Sequence, residues 1–263
     1  MIEFFDVTPL KKPLIFDTHA HYEDVCFDEI RNDMFQGFKS HGVGKVLTCG
    51  CDKSSSEKAL KMAEDFDFIY VAVGIHPGNI DSGTTIFEIE ELAKHNKCVA
   101  IGEIGLDYYW TQDNKDIQKE IFISQIELAK KLNLPIIVHD RDAHADTLEI
   151  LKKYKPKGVV HSFSGSVEMA EEILKLDMYF GIGGVITFKN AKKLPDVVKM
   201  LPEDKILLET DAPYLSPVPY RGKTNNSSMI YLTAGKIAEL RNTTTEHILN
   251  VSYKNAERLF EIK

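Results

Sequence analysis

Short apolar runs separated by longer stretches of mixed polarity set the rhythm of this chain. Eight runs, at about residues 14–18, 44–49, 69–75, 98–103, 135–139, 158–162, 178–183 and 206–210, are apolar or β-branched and bounded by turn residues. That is the pattern of strands buried on both faces. The stretches between them are of helical length. Ser54–Phe66 opens on an S-x-x-E capping pair, Ser54 and Glu57, and Lys115–Leu132 places Ile117, Ile121, Ile126, Leu128, Ala129 and Leu132 at near-helical spacing, so both predict amphipathic helices. Strand, loop and helix therefore alternate, which predicts a parallel α/β sheet. Eight strands suit a (β/α)8 barrel, and a doubly wound open sheet would alternate in a similar way.

The residues that follow these runs separate the two. His19 and His21 close the first run, and side chains two apart on a strand share a face, so the two imidazoles can converge on one ion. Glu103 follows the fourth run, His139 the fifth, His161 the sixth and Asp211 the eighth. Six such groups from five strands can meet only if the sheet closes. The expected fold is α/β, a single (β/α)8 TIM barrel with a metal site at the C-terminal ends of its strands.

Composition bounds the rest. With 263 residues and 43% hydrophobic content, one domain spanning residues 1–263 is the simplest count. No leader pattern is expected in residues 1–13, and no run approaches the roughly 18 apolar residues that span a membrane. Cys26, Cys49, Cys51 and Cys98 lack zinc-ribbon spacing, which fits reduced thiols in a cytoplasmic protein without a membrane partner. Cys49-x-Cys51 reads as a strand end with buried thiols. The formal net charge of −8 argues against coating duplex nucleic acid through a basic face, yet it permits a metal-centred cleft that holds one phosphodiester. Residues 213–228, with prolines at 213, 217 and 219, read as a long loop over the barrel mouth.

Seven ordered motifs carry a resemblance that runs nearly end to end: Asp17-Thr-His-Ala-His21, Gly74-Ile-His-Pro77, Gly102-Glu-Ile-Gly-Leu-Asp-Tyr-Tyr109, Val138-His-Asp-Arg141, His161-Ser-Phe-Ser-Gly165, Leu208-Glu-Thr-Asp-Ala-Pro-Tyr214 and Arg221-Gly-Lys-Thr-Asn225. In this combination the chain resembles the TatD-like family of metal-dependent deoxyribonucleases, a branch of the amidohydrolase superfamily. The resemblance implies a two-metal hydrolase of phosphodiester bonds that acts as a 3′-to-5′ exonuclease on DNA, with single strands or 3′ ends as the partner and no obligate protein partner. It also implies that His19 and His21 hold one ion, that His139 and His161 hold the second, and that Glu103 bridges them. Asp211 would bind an ion and handle the proton of the attacking water. Two ions roughly 3.5–4 Å apart can stabilise both the attacking and the leaving oxygen.

Glu209, two residues before Asp211, is expected to share its inward face in a catalytic or supporting role, the alternative being an interior carboxylate paired with a lysine or arginine. His76 is the leading candidate to contact substrate phosphate, against a structural histidine in a His-Pro turn. Arg141 offers a fork of donors to phosphate, or an ion pair with Asp140, Asp142 or Glu103. Tyr108 and Tyr109 either stack a terminal base or pack beneath their loop, and Trp110 is left unassigned. His41, His95, His144 and His247 read as surface residues. Where the family usually has Glu-Pro after the last motif, this chain has Asn226-Ser227.

Four imidazoles and two carboxylates favour zinc, manganese, cobalt or nickel. The family is described as magnesium-dependent, so two divalent ions are expected, zinc or a similar ion in the isolated protein and magnesium or manganese for turnover. The competing reading is an amidohydrolase or esterase acting on a small amide, a lactone or a D-aminoacyl ester of tRNA. A binding protein with a structural metal is disfavoured, since closed structural zinc sites are four-coordinate and cysteine-rich.

Overall fold

The apolar runs form strands in the computed structural model, which describes residues 12, 14–110 and 113–262. The strands β1 (Ile15–Ala20), β2 (Val43–Cys49), β3 (Ile69–Val73), β4 (Cys98–Asp107), β5 (Ile136–Arg141), β6 (Gly158–Val160), β7 (Tyr179–Ile182) and β8 (Ile206–Leu208) lie in chain order in one eight-stranded sheet. Alternating with them are helices α1 (Arg31–Phe38), α2 (Lys53–Asp65), α3 (Ile86–Leu92), α4 (Lys115–Leu132), α5 (His144–Tyr154), α6 (Val167–Leu174), α7 (Leu194–Met200), α8 (Ile230–Arg241) and α9 (Thr245–Phe260). Residues 1–11 and 13, which fall in the segment expected to lack a leader, lie outside the described residues. No helix among the described residues is long and apolar enough to cross a membrane.

The chain divides into two compact units: the residues up to Thr48 with those from Gly181 onward, and Cys49–Phe180. In the first, every residue of β1 is buried and β1 pairs in parallel with β2. Phe16 packs its ring against Tyr253 and Phe260 of α9, and Tyr22 lies among Phe27, Phe35 and Phe38. Burying such rings stabilises this unit by about 1.5–3 kcal/mol for each large apolar side chain. The 213–228 loop is tied down in the same unit, because the Asn225 side chain donates to the carbonyls of Thr210 and Tyr214.

In the second unit β3 to β6 pair in parallel, and the register of β4 on β5 runs from Ile101↔Ile136 to Asp107↔Arg141. β4 is four residues longer than the run 98–103 predicts, since Ile104 and Leu106 continue the buried alternation after Glu103. α4 has the expected bounds but a different inner face. Ile117 is 51% exposed, and the buried side carries Gln118, Phe122, Gln125, Ile126, Leu128 and Ala129.

The two buried glutamines satisfy backbone groups at the end of β4 and just beyond the end of β3. The Gln118 amide accepts from Asp107 N at 2.8 Å and donates to Asp107 O at 3.0 Å, and Gln125 does the same for Ile75 at 2.7 and 3.0 Å. Peptide groups at a strand end have no ladder partner, and burying them unpaired would be costly. α2 begins one residue earlier than expected. Its capping box is formed by Asp52 and Ser55, not by Ser54 and Glu57, because Asp52 has the extended backbone that a cap requires.

Candidate metal and catalytic groups

In the first unit Asp17, His19, His21 and Glu23 recur at every second position from β1 onward, and all four are buried. Asp17 Oδ1 accepts from the backbone N–H groups of His19 and Thr210, and Oδ2 accepts from the hydroxyls of Thr210 at 2.6 Å and Ser227 at 2.7 Å. This carboxylate fastens the segment after β8 to β1, and Asp211 N then donates to His19 O at 2.9 Å. Burial pushes the Asp17 carboxyl up to about 7, against the lowering effect of these hydrogen bonds. Ser227, in the Asn226-Ser227 departure, is therefore a buried donor to Asp17, and the Asn226 side chain caps Ser228.

Asp211 turns back with φ of 58° and brings Oδ1 to 3.7 Å from His19 Nε2 and 3.5 Å from His21 Nε2, while the two imidazole nitrogens lie 3.2 Å apart. Ligands about 2.0–2.1 Å from one ion sit roughly 3.0–3.4 Å from each other, so this triangle needs only slight closure to hold a cation. Glu23 prepares it. Its Oε1 lies 3.3 Å from His21 Nδ1, and its Oε2 accepts from Thr48 Oγ1 at 2.7 Å. An ionised carboxylate only accepts, so the ring proton sits on Nδ1 and leaves the Nε2 lone pair for an ion.

Glu209 is buried at 1% exposure, and a Cβ built on Gly181 would lie 2.1 Å from its Oε2. A glycine at 181 thus makes the space that the carboxylate fills. Glu209 and Asp211 do not share a strand face as expected, because β8 ends at Leu208 and the left-handed backbone at Asp211 breaks the alternation.

In the second unit Glu103 on β4 meets three histidines. Its Oε1 lies 2.7 Å from His139 Nδ1, 3.8 Å from His76 Nε2 and 3.8 Å from His161 Nε2. His139 Nε2, on the other side of the ring, donates to Asp107 Oδ2 at 3.0 Å. Burial disfavours a charged His139, yet the hydrogen bonds it donates to Asp107 and Glu103 prevail and raise it to about 9. The unfolded chain, at the ordinary 6.5, gives up that proton first. Protein freed of ions is expected to hold this contribution to stability below about pH 6.5 and to lose it as pH rises through about 9. Thermal unfolding in chelator between about pH 6 and 10 checks this, and His139→Gln should lack the decline.

His76 begins a short 3-10 segment, and its Nδ1 accepts from Gly78 N at 2.9 Å. The neutral ring therefore carries its proton on Nε2, the nitrogen that faces Glu103, and is a donor at that position. It is both the structural histidine of the His-Pro turn and a group able to donate into the site.

Arg141 ends β5, exposed, with Cζ 4.0 Å from the Tyr109 ring centroid and 5.5 Å from that of Trp110. It has no carboxylate partner among the described residues, so the expected alternative of an ion pair does not occur. Tyr108, a candidate substrate contact with packing beneath the loop as its other reading, takes the second course and is 7% exposed. Its hydroxyl donates to Asp146 Oδ2 at 2.7 Å, and Lys115 Nζ covers its ring at 4.4 Å. Tyr109 and Trp110 are the exposed aromatics there, at 55% and 71%. His41, His95, His144 and His247 are occupied elsewhere, with Gly37 O, Glu64, Asp140 and Glu203 respectively.

Asp17, Glu23 and Asp107 are not among the residues expected at the site. A signal existed for all three: each extends a period-two series through a ligand candidate, 17-19-21-23 on the first run and 103-105-107 on the fourth. Each group thus combines imidazole and carboxylate donors with a further carboxylate on the far side of a ring, a donor set suited to a divalent transition ion or magnesium-like ion.

Comparison with known proteins agrees with this chemistry. The family model described as "TatD related DNase" matches residues 16–261. The chain is 45% identical over 254 residues to a Bacillus subtilis protein named uncharacterized metal-dependent hydrolase YabD, covering 95% of this chain and 100% of that one. Against the Escherichia coli protein named uncharacterized metal-dependent hydrolase YcfH the identity is 35%, with 94% and 96% covered. Among solved structures, the Escherichia coli TatD homolog YJJV superposes with a TM-score of 0.89 at 30% identity, covering 95% of this chain and 99% of that one. The fold is the (β/α)8 TIM barrel of that structure.

Proposed function

Because the chain belongs to the TatD-related DNase family, we propose that it is a metal-dependent hydrolase that cleaves phosphodiester bonds of DNA, releasing nucleotides from 3′ ends of single strands with two divalent ions. The observation that carries this reading is the pair of ligand groups: His19, His21 and Asp211 in one unit, and Glu103, His139 and His161 in the other. Each would hold an ion, zinc or a similar ion in the isolated protein and magnesium or manganese in turnover. Bound ions supply Lewis acidity at a phosphoryl oxygen and favour ionisation of a water.

The protein's own groups have separate tasks. Asp211, the more exposed carboxylate of its group at 19%, accepts the proton of the attacking water and returns it to the leaving alkoxide. His76 donates from Nε2 to a phosphate oxygen, and Arg141 offers its guanidinium to the chain of phosphates. Glu23 and Asp107 keep His21 and His139 in the tautomer that ligation requires. Glu209, buried against Gly181 and two residues before Asp211, supports the group that Asp211 belongs to.

The test uses single-stranded oligonucleotides labelled at the 3′ or 5′ end, with chelator and then with magnesium, manganese or zinc restored. Metal-dependent stepwise loss from the 3′ end is the expected result. Internal or 5′ cleavage would overturn the polarity, and no cleavage by metal-loaded protein would turn the assignment to amides and aminoacyl esters.

A further inference from the structure

Two residues beyond Asp107 the chain exposes an aromatic pair that the hydrolytic groups do not use. Tyr109 and Trp110 stand edge to face, with centroids 4.8 Å apart and rings at 88°, and are 55% and 71% exposed. Leaving an indole mostly in water is unfavourable, and these rings are not covered by the core. Beside them is the Arg141 guanidinium, 4.0 Å from the Tyr109 ring and without a carboxylate partner among the described residues.

We propose that Trp110, with Tyr109 and Arg141 at its rim, is a stacking platform for one base of a single-stranded oligonucleotide. The proposal rests on the phosphodiester reading above and adds how that substrate is held. Three features favour a nucleobase as the occupant. An exposed indole face stacks any base, and the guanidinium beside it, with no carboxylate partner among the described residues, adds a phosphate contact, the combination used for single strands. The platform is also held to the hydrolytic groups: Asp107 Oδ1 accepts from the backbone N–H groups of Tyr109 at 3.0 Å and Trp110 at 3.2 Å, while its Oδ2 accepts from His139 Nε2 at 3.0 Å. Arg141 follows His139 by two residues on β5, a separation of about 7 Å along a strand. One carboxylate thus sets both the aromatic turn and a ligand-candidate imidazole.

Charge makes the third point. With a formal net charge of −8 the protein has little general attraction for a polyanion, so affinity must come from contacts that do not depend on a basic surface. Stacking is such a contact. Bases of a duplex are already stacked on each other, which restricts the platform to unpaired ones.

Trp110 is the chain's one tryptophan, so its fluorescence reports on the platform directly. Metal-loaded protein would be titrated with a phosphorothioate-linked hexamer of deoxyadenosine and with an abasic hexamer of the same backbone. Quenching by the first and not by the second is expected, and Trp110→Ala should weaken binding of the adenine hexamer by between about 5- and 100-fold, read by anisotropy of a labelled strand, with the abasic affinity unchanged. Equal affinity for the two hexamers, or an unchanged affinity in Trp110→Ala, would overturn the platform. So would quenching that follows protein concentration alone, together with a dimer in sedimentation that Trp110→Ala abolishes, which would mean that a second copy covers these rings. Binding is read without turnover, so failure of the hydrolytic reading would show separately as base-dependent binding with no cleavage of ordinary oligonucleotides.

Discussion

Asp211→Asn is expected to lower metal-dependent cleavage of single-stranded oligonucleotides by about 10²- to 10⁴-fold, the range by which a positioned general base contributes. The amide keeps the shape of the carboxylate but can neither accept the proton of a water nor offer a charge to an ion shared with His19 and His21, whose Nε2 atoms lie 3.7 and 3.5 Å from Oδ1. The fold should survive, because the ties that place this residue are made by its backbone N–H to His19 O and by Asp17 to Thr210. Initial rates measured beside metal content by plasma emission separate the two losses. A rate loss with both ions retained points to the proton, and a parallel loss of an ion points to ligation. Activity within about fivefold of the unaltered protein would remove Asp211 from the proposed mechanism.

Gly105→Ala should be the most damaging small substitution in the second unit. Gly105 has φ of 147°, a region that side chains rarely adopt, and a Cβ there would lie 2.0 Å from the His139 carbonyl oxygen. The clash is with backbone, so no rotamer relieves it. β4 and β5 would have to separate where Glu103 and His139 meet, with an expected cost of about 3 kcal/mol or more from strain and overpacking together. Gly83→Ala is the matched control. That position also has positive φ, 77°, but nothing lies within 4 Å of the added carbon, so only the backbone term of about 1–2 kcal/mol remains. Urea unfolding of the three proteins measures both, and a Gly105→Ala midpoint equal to that of Gly83→Ala would refute the close-approach argument.

Much of the fold was legible because strands buried on both faces must be continuously apolar, and each predicted run overlaps an observed strand. The ligand candidates were legible for a related reason: polar residues that closely follow such runs have no place in a core. Where reading along the chain failed, the missing information was the neighbour. Tyr108 and Tyr109 are adjacent and chemically alike, yet Asp146 and Lys115 cover the first and leave the second exposed. Gln118 and Gln125 lie on the buried face of α4, where periodicity expects apolar residues, because strand-end peptides of Asp107 and Ile75 need partners. Ile117, on the same helix, is left at the surface.

By itself, the amino-acid sequence determined the alternation of strand and helix, the bounds of α4 and the residue types available at the strand ends, since all of these depend on local periodicity and composition. Only the tertiary structure decided which carboxylate faces which ring nitrogen. Glu23 on His21 and Asp107 on His139 select the tautomers, and Asp17, bonded to Thr210 from 193 residues away, sets where Asp211 points. Hydrogen bonds are short and directional, so what each group can do follows from atoms brought within about 3 Å by the whole fold, a quantity that no local stretch of chain contains.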